Sequence, residues 1–454
     1  MSLVLLLVAV LSVGWLTWTL WGKVSPAKSL AGIPLVEFDG DNSRDRYTRE
    51  AGSLLGKGYD EHIRNGQPFC IRDFLNPSRP RVFLPSKYVE ELRNAPQEKL
   101  SLPGILNKTS TMSKVGGPEI TEEIQTSARV DLNRALNNLI EPMQSLCFRA
   151  AEKEMPKCPD WTSVVLYPKM LELFSHMSAR VMVGPELCEA WPAISMKYIT
   201  RVLAAQGAIR KKYYPALYWT AYYINPEVAL AEKHDDFIQW IMDNYRANGK
   251  TVTPDETVQN IFIVMFASMH GTSFIALQSL LSLLGTPNAL NEVREEIERV
   301  SQNELKGSPV WTRHALGELK LMDSFMKETL RIRPTVQRYA MTPYTFKDGL
   351  QVPAGTVISF PNLRYNTDSS TMSEASTFDG KRWLHRRFTP GMSKFQFAST
   401  AEDAFDWGAG PHACPGRFMA ELSEGGPERP AESKRFLDLA PDTSIAVMLR
   451  DMQG

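Results

Sequence analysis

From residue 261 to 284 the chain carries no fixed charge for about seven helical turns, and a helix apolar on every side must be enclosed, by lipid or by protein. Ser268, His270, Gln278 and Ser279 interrupt this surface. Hydrocarbon penalises such groups, whereas a protein core built around a cofactor accommodates them, so the segment reads as the central helix of a large body rather than as a membrane span. Apolar residues at helical spacing mark further helices at 88–94, 132–155, 165–183, 192–208, 235–248, 258–284 and 290–300. Strand signals are few: 351–360, after the Asp348-Gly349 turn, and two short candidates near Phe436 and Ile445. The expected fold class is mainly α, a helical body with a small β-rich subdomain.

A second uncharged run, residues 3–21, spans roughly 28 Å as a helix, close to the ~30 Å of a hydrocarbon core. Trp15, Trp18 and Trp21 gather at its C-terminal end, and Lys23 and Lys28 follow, which leaves the body on the cytosolic side. The expected organisation is a transmembrane anchor at 3–21, a linker at 22–42 containing Pro26, Gly32 and Pro34, and a catalytic domain at 43–454. Lys plus Arg and Asp plus Glu are both 51, so no overall charge calls for nucleic acid. Five cysteines without metal-ligand spacing argue against a disulfide scaffold and against a zinc module.

The chemistry shows in the run Trp407-Gly408-Ala409-Gly410-Pro411-His412-Ala413-Cys414-Pro415-Gly416. Gly408 and Gly410 permit a tight turn whose amides point at the Cys414 sulfur, and Pro415-Gly416 opens a helix whose positive end faces it. Both features favour a thiolate, and a thiolate with backbone donors suits one face of a haem iron. Two alternatives stand beside this. The glycine spacing also fits a loose dinucleotide fingerprint, although the preceding Glu402-Asp403-Ala404-Phe405-Asp406 is no buried strand, and an inert cysteine in a glycine turn is the plainer option.

The run resembles the haem-binding signature of the cytochrome P450 family, with Trp407 at the aromatic place, Gly408 and Gly410 at the glycine places, His412 at the basic place and Cys414 at the axial one. The resemblance implies haem b with Cys414 as the iron's thiolate ligand, Trp407 near the sulfur, His412 at a propionate, and Arg417 to Ala420 opening the helix behind the haem. Glu-x-x-Arg occurs at Glu61, Glu90, Glu296, Glu328 and Glu432, and as a pattern alone it reads as a solvated surface pair. Only Glu328 and Arg331 lead into Arg333-Pro334, then Phe378 to Trp383, then the cysteine loop, in the family's order. By that resemblance Glu328, Arg331 and Arg382 form a buried charged triad with a structural role, and Arg338 and Arg129 are propionate partners. Gln125 departs from the pattern, standing where an aromatic residue is often found.

Ala267-Ser268-Met269-His270-Gly271-Thr272 lines up with the family's oxygen-activation segment, in which an acid precedes a threonine. His270 replaces the acid, and Thr272 lies a residue late, about 100° around a regular helix. A local bulge would bring Thr272 to the oxygen, and a His270 titrating near neutrality would complete a proton relay. Ala267 and Gly271, four residues apart, give one small face able to pass close over a flat macrocycle.

The activity so implied is monooxygenation of an apolar substrate. The wording at 266–273 and 378–383 is similar to fungal members that oxidise terpenoids such as ent-kaurene, which implies a secondary metabolite. The implied partners are a membrane and an NADPH-cytochrome P450 reductase docking near Arg386, Arg387, Lys394 and Arg417, at the endoplasmic reticulum. A haem-thiolate isomerase or dehydratase working without a reductase, and a vestigial haem-binding protein, remain as alternatives. The latter arises because Gly425-Gly426-Pro427 cuts short the helix expected after Ala420, and residues 223–234 are compressed where the family has long helices.

Overall fold

The computed structural model describes residues 30, 32–73, 79–109, 119–189, 236–331, 337–387, 395–400, 406–408, 410, 413–421, 433–435, 438–440 and 446–449. The anchor expected at 3–21, the helix at 192–208 and the irregular stretches at 223–234 and 425–427 lie outside the described residues. Two compact units emerge, one of Met1–Ile105, Thr335–Arg364 and Lys434–Asp438, the other of Leu106–Pro334, Tyr365–Ser433 and Leu439–Gly454.

The first unit holds helix α1 (Arg44–Glu61), whose first turn is capped by the Ser43 hydroxyl accepting from the Arg46 amide. Its sheet comprises β1 (Phe69–Ile71), β2 (Arg81–Phe83), β3 (Leu100–Ser101), β4 (Gln337–Ala340) and β5 (Val357–Ser359), ordered β1-β2-β5-β4-β3. Only β2 and β5 run parallel, with Val82 opposite Ile358. Every residue of β1, β2 and β5 is buried, so these strands show no alternation that a period-2 reading would catch. Gly58 brings α1 onto β1: a Cβ there would stand 2.2 Å from the Phe69 ring.

The single strand expected at 351–360 is two. Gln351–Val352 pairs with Tyr344–Thr345, and β5 joins the main sheet. The break follows from Pro353, which has no amide to donate to a ladder, and from Gly355 at φ 84°. Within the segment read as a linker, Ile33 and Val36 are buried, and Pro34 and Val36 exchange backbone hydrogen bonds with Cys70 at 2.8 Å.

The second unit is helical: α2 (Leu132–Glu154), α3 (Leu166–Leu187), α4 (Phe237–Ala247), α5 (Pro254–Gly285), α6 (Ala289–Val300) and α7 (Lys320–Arg331). Among the described residues α5 is the one helix long and apolar enough to cross a membrane. Its enclosure is protein. Ile261, Phe262, Met265 and Met269 share a core with Met177 and Val181 of α3 and with Phe237 and Ile241 of α4, and Leu277 and Leu281 pack on Val164 and Leu166. Thr253 and Glu256 close a capping box at its start, with Pro254 in the first turn. The C-terminal strand signals fall where Ser433–Arg435, Asp438–Ala440 and Ala446–Leu449 form, the last pairing antiparallel with Thr162–Val165.

Candidate functional site

Gly408 and Gly410 adopt φ 80° and 60°, the left-handed region that the turn before Cys414 requires. The turn closes through hydrogen bonds from the Ala413 amide to the Gly410 carbonyl and from the Cys414 amide to the Trp407 carbonyl, the latter 2.7 Å. Trp407 is itself fixed, donating from Nε1 to the Phe397 carbonyl at 2.6 Å and meeting the Phe397 ring edge-on. On the far side Arg417 donates to the Ala398 and Cys414 carbonyls. Met419 then packs in the core with α2 residues, and Ala420 with Ile275 of α5. Helix Arg417–Glu421 is the described extent of the segment expected behind a haem.

The sulfur behaves differently from the sequence expectation. Burial pushes the Cys414 thiol up, and the opposing pull of the Gly416 and Arg417 amides and of the Arg417 charge does not overcome it. The loop alone does not make a thiolate; a bound cation does, since coordination deprotonates a thiol outright. His412, expected at a propionate, lies outside the described residues.

Behind the loop the chain assembles a buried charged network. Glu328 accepts five hydrogen bonds: from Arg331 Nε and Nη2, Arg382 Nε, Trp383 Nε1 and the Asp379 amide, at 2.8–3.2 Å. The remaining donors of Arg331 and Arg382 reach carbonyls of Asn366, Ala375, Ser373, Glu374 and Thr377. One carboxylate thus organises two guanidinium groups, and each guanidinium stitches the 366–377 stretch by its carbonyls.

Sequence reading missed several members. Glu296, taken for a solvated pair, is buried, and its carboxylate accepts from the Leu321 and Met322 amides at 2.8 and 3.0 Å, which caps α7. Asp323 of α7 takes the Phe397 amide and pairs with Arg387. Lys327, fully buried beside Glu328, pairs with Asp406 at 3.0 Å. Glu296 stands on the amphipathic helix α6 and Asp323 and Lys327 on the amphipathic helix α7, and neither position names the distant partner.

Helix α5 is regular from Pro254 to Gly285, so no bulge carries Thr272 round, and it stays one residue beyond Gly271 on the helix. Ala267 and Gly271 are exposed in the middle of this otherwise enclosed helix, and a Cβ on Gly271 would meet nothing within 4 Å. His270 is held by the Tyr167 hydroxyl at Nδ1, 2.9 Å away, and its Nε2 is buried without a partner. Burial lowers its pKa to about 4, which corrects the expectation of titration near neutrality, and burial lifts the Tyr167 phenol to about 12. The folded pKa lies below the unfolded value of about 6.5, so the unfolded state binds the extra proton between these limits, and stability falls as pH drops from roughly 6.5 to 4. Thermal midpoints across that window should therefore fall less steeply in His270→Gln than in the parent protein, the difference reaching roughly 3 kcal/mol at most. Equal slopes would show that His270 is protonated in the folded protein.

Arg338, on β4, is 1% exposed and its Nε and Nη2 have no hydrogen-bond partner, while burial lowers its pKa to about 10. A buried guanidinium with two orphan donors fits an anionic group brought by a ligand. Arg129, the other expected propionate partner, is exposed within a π-turn at Ser127–Asp131. Of the charges read as a docking surface, Arg387 and Arg417 are engaged inside the fold, Arg386 lies over the Trp383 and Phe395 rings, and Lys394 is outside the described residues.

Comparison with known proteins completes the picture. The Cytochrome P450 family profile matches residues 125–424, well over half of the chain and inclusive of every element of the cysteine site. Cytochrome P450 monooxygenase ccsG of Aspergillus clavatus is 29% identical, with 100% of both chains covered. Cytochrome P450 monooxygenase cheE of Chaetomium globosum is 32% identical over 87% of this chain and 83% of its own. Pyrichalasin C-7 hydroxylase of Pyricularia grisea is 28% identical over 87% and 84%. Among solved structures, retinoic acid-bound cyanobacterial CYP120A1 superposes with a TM-score of 0.62 at 15% identity, covering 92% of this chain and all of that one, a likeness of fold. With a glycine turn presenting one cysteine and a family match that spans it, the chain belongs to the cytochrome P450 family, oxygen-incorporating oxidoreductases whose haem iron is held by a cysteine thiolate.

Proposed function

We propose that this protein hydroxylates or otherwise oxidises an apolar secondary metabolite, of terpenoid type, with Cys414 as the axial ligand of haem b. The observation that carries the reading is the Cys414 turn, braced on one side by Trp407 and on the other by Arg417. Supporting it, one relative is named for hydroxylating pyrichalasin, and others are named as fungal monooxygenases. Electrons come from an NADPH-cytochrome P450 reductase, and residues 3–21 hold the catalytic body at the cytosolic face of the endoplasmic reticulum.

When bound, haem supplies reductive activation of dioxygen and abstraction of a substrate hydrogen. The chain's own residues do the rest. Cys414 holds the iron, with the Gly416 and Arg417 amides directed at the sulfur. The orphan donors of Arg338, Nε and Nη2, fit an anionic group such as a propionate. Ala267 and Gly271 leave room over the macrocycle face. Thr272, a residue past the usual position on a regular helix, leaves the polar role on this face to His270, a neutral imidazole with its Nδ1 bonded to the Tyr167 hydroxyl and its Nε2 available for proton transfer.

The regular α5 helix, with Gly271 at the usual threonine position, is the observation that favours a second reading, a haem-thiolate isomerase or dehydratase. Membranes containing the protein and reductase, supplied with ent-kaurene and a panel of other terpenoid hydrocarbons under isotopically labelled dioxygen, separate the two. NADPH-dependent product carrying one labelled oxygen atom is expected. Product formed without NADPH, or free of label, would replace oxygenation by rearrangement.

A further inference from the structure

Lys327 and Asp406 form an ion pair at 3.0 Å with side-chain exposures of 0% and 3%, 79 residues apart in sequence. Lys327 sits next to Glu328 on α7, and its ammonium lies 5.4 Å from the centroid of Trp383, whose Nε1 donates to Glu328. Asp406 directly precedes Trp407, whose carbonyl receives the Cys414 amide. A short chain of direct contacts therefore runs from the charged network of α7, through one buried ion pair, into the entry of the cysteine turn. A buried ion pair contributes little net stability compared with an apolar pair of equal volume, but it imposes a fixed distance and direction on the backbone that carries it.

We propose that Lys327 and Asp406 are positioning residues for the iron ligand: the pair sets where Trp407 stands, and through Trp407 it sets where the Cys414 sulfur is presented. No other described side chain makes a charged contact with Asp406. The two glycines of the turn, with their left-handed backbone, give it shape but no anchor to the helical body. Arg417 anchors the exit of the turn through Ala398; at its entry Trp407 supplies one anchor through Phe397, and the ion pair supplies a second. Two anchors on adjacent residues fix an orientation that a single one leaves free to rotate. The role rests on the reading of Cys414 as the iron ligand.

The test compares full-length Lys327→Met, Asp406→Asn and the double variant Lys327→Met/Asp406→Leu with the parent protein. Three quantities are read: haem content, the share of thiolate-type Soret band in the reduced carbon monoxide complex, and the thermal midpoint. Each single variant leaves one charge buried without its partner and should lose both midpoint and thiolate share, the latter several-fold. The double variant removes both charges, so it should regain most of the midpoint while its thiolate share stays low, because the direction imposed by the pair is gone. Full recovery of the thiolate share in the double variant, or an unchanged share in both single variants, would overturn the positioning role and leave the pair as a fold contact only. The parent protein guards the underlying reading: lack of a thiolate-type band in the parent overturns both that reading and the role inferred from it, whereas an intact parent band with intact variants overturns only the role.

Discussion

Cys414→Ser should abolish the thiolate-type Soret band of the reduced, carbon monoxide-bound protein and all substrate oxidation, with helical content unchanged. Serine is close in size, and the contacts that shape the turn do not use the sulfur: they run from the Cys414 amide to Trp407, from Trp407 Nε1 to Phe397, and from Arg417 to the Cys414 carbonyl. The backbone therefore keeps its path while the iron loses a ligand whose electron donation the chemistry requires. The same change at Cys70, Cys147 or Cys188 should leave the band intact. Burial pushes each of those thiols up, as it does that of Cys414, so what sets them apart is place: each lies in the body of the fold rather than in a glycine turn. Carbon monoxide difference spectra and far-ultraviolet circular dichroism on the four variants decide the matter. A band that survives in Cys414→Ser and vanishes in one of the others would move the ligand to that cysteine.

Legibility in the sequence followed how local each determinant is. Helix α5 was plain because its apolar length is contiguous, while its start at Pro254, set by the Thr253 to Glu256 capping box, lies ahead of the expected 258. Helix α1 was not, since Gly52, Gly56 and Gly58 and many charges mask it, and the place of Gly58 is explained by close approach to Phe69, a contact with another element. Strands of two or three buried residues carry no period, and their register comes from pairings such as Val82 with Ile358. The site divides in the same way. Cys414, Trp407 and the two glycines occupy one continuous run, and Glu328, Arg331 and Arg382 became meaningful through the order of motifs along the chain. Glu296, Asp323 and Lys327 stayed hidden because their partners are fixed by tertiary proximity, not spacing. His270 shows the limit most clearly: its residue type suggested a near-neutral pKa, and burial against Tyr167, 103 residues earlier, moves it to about 4.

The relation of this chain to its relatives has a structural counterpart. Alignment to the Aspergillus clavatus monooxygenase runs over 507 positions and takes in all of a chain of 454 residues, so the relative fills positions that this chain lacks. The family match ends at residue 424, where the sequence turns to Gly425-Gly426-Pro427. Upstream of that point Met419 packs with α2, α3 and α5, and Ala420 and Trp407 pack with Ile275 of α5 and with Met326 and Leu330 of α7.

Glu328→Gln should destabilise the protein by about 3–5 kcal/mol, the cost of breaking a buried ion pair by removing one partner. The substitution is nearly isosteric, so lost packing contributes little. The change that matters is that an acceptor becomes a donor. Glu328 Oε1 accepts from Arg331, Arg382 and the Asp379 amide, and Oε2 accepts from Arg331 and Trp383. An amide nitrogen at either place confronts at least two donors, while Arg331 and Arg382, 2% and 8% exposed, keep their charges with no counterion. The carbonyls of residues 366–377 that these guanidinium groups gather lose their fixed partners, and with them goes the support behind the cysteine turn. Glu90→Gln, in an exposed Glu-x-x-Arg copy, should shift stability by less than about 0.5 kcal/mol. Urea denaturation of both variants, followed together with haem retention, gives the comparison. A Glu328→Gln protein as stable as Glu90→Gln would mean that the five hydrogen bonds to this carboxylate do not hold the fold together.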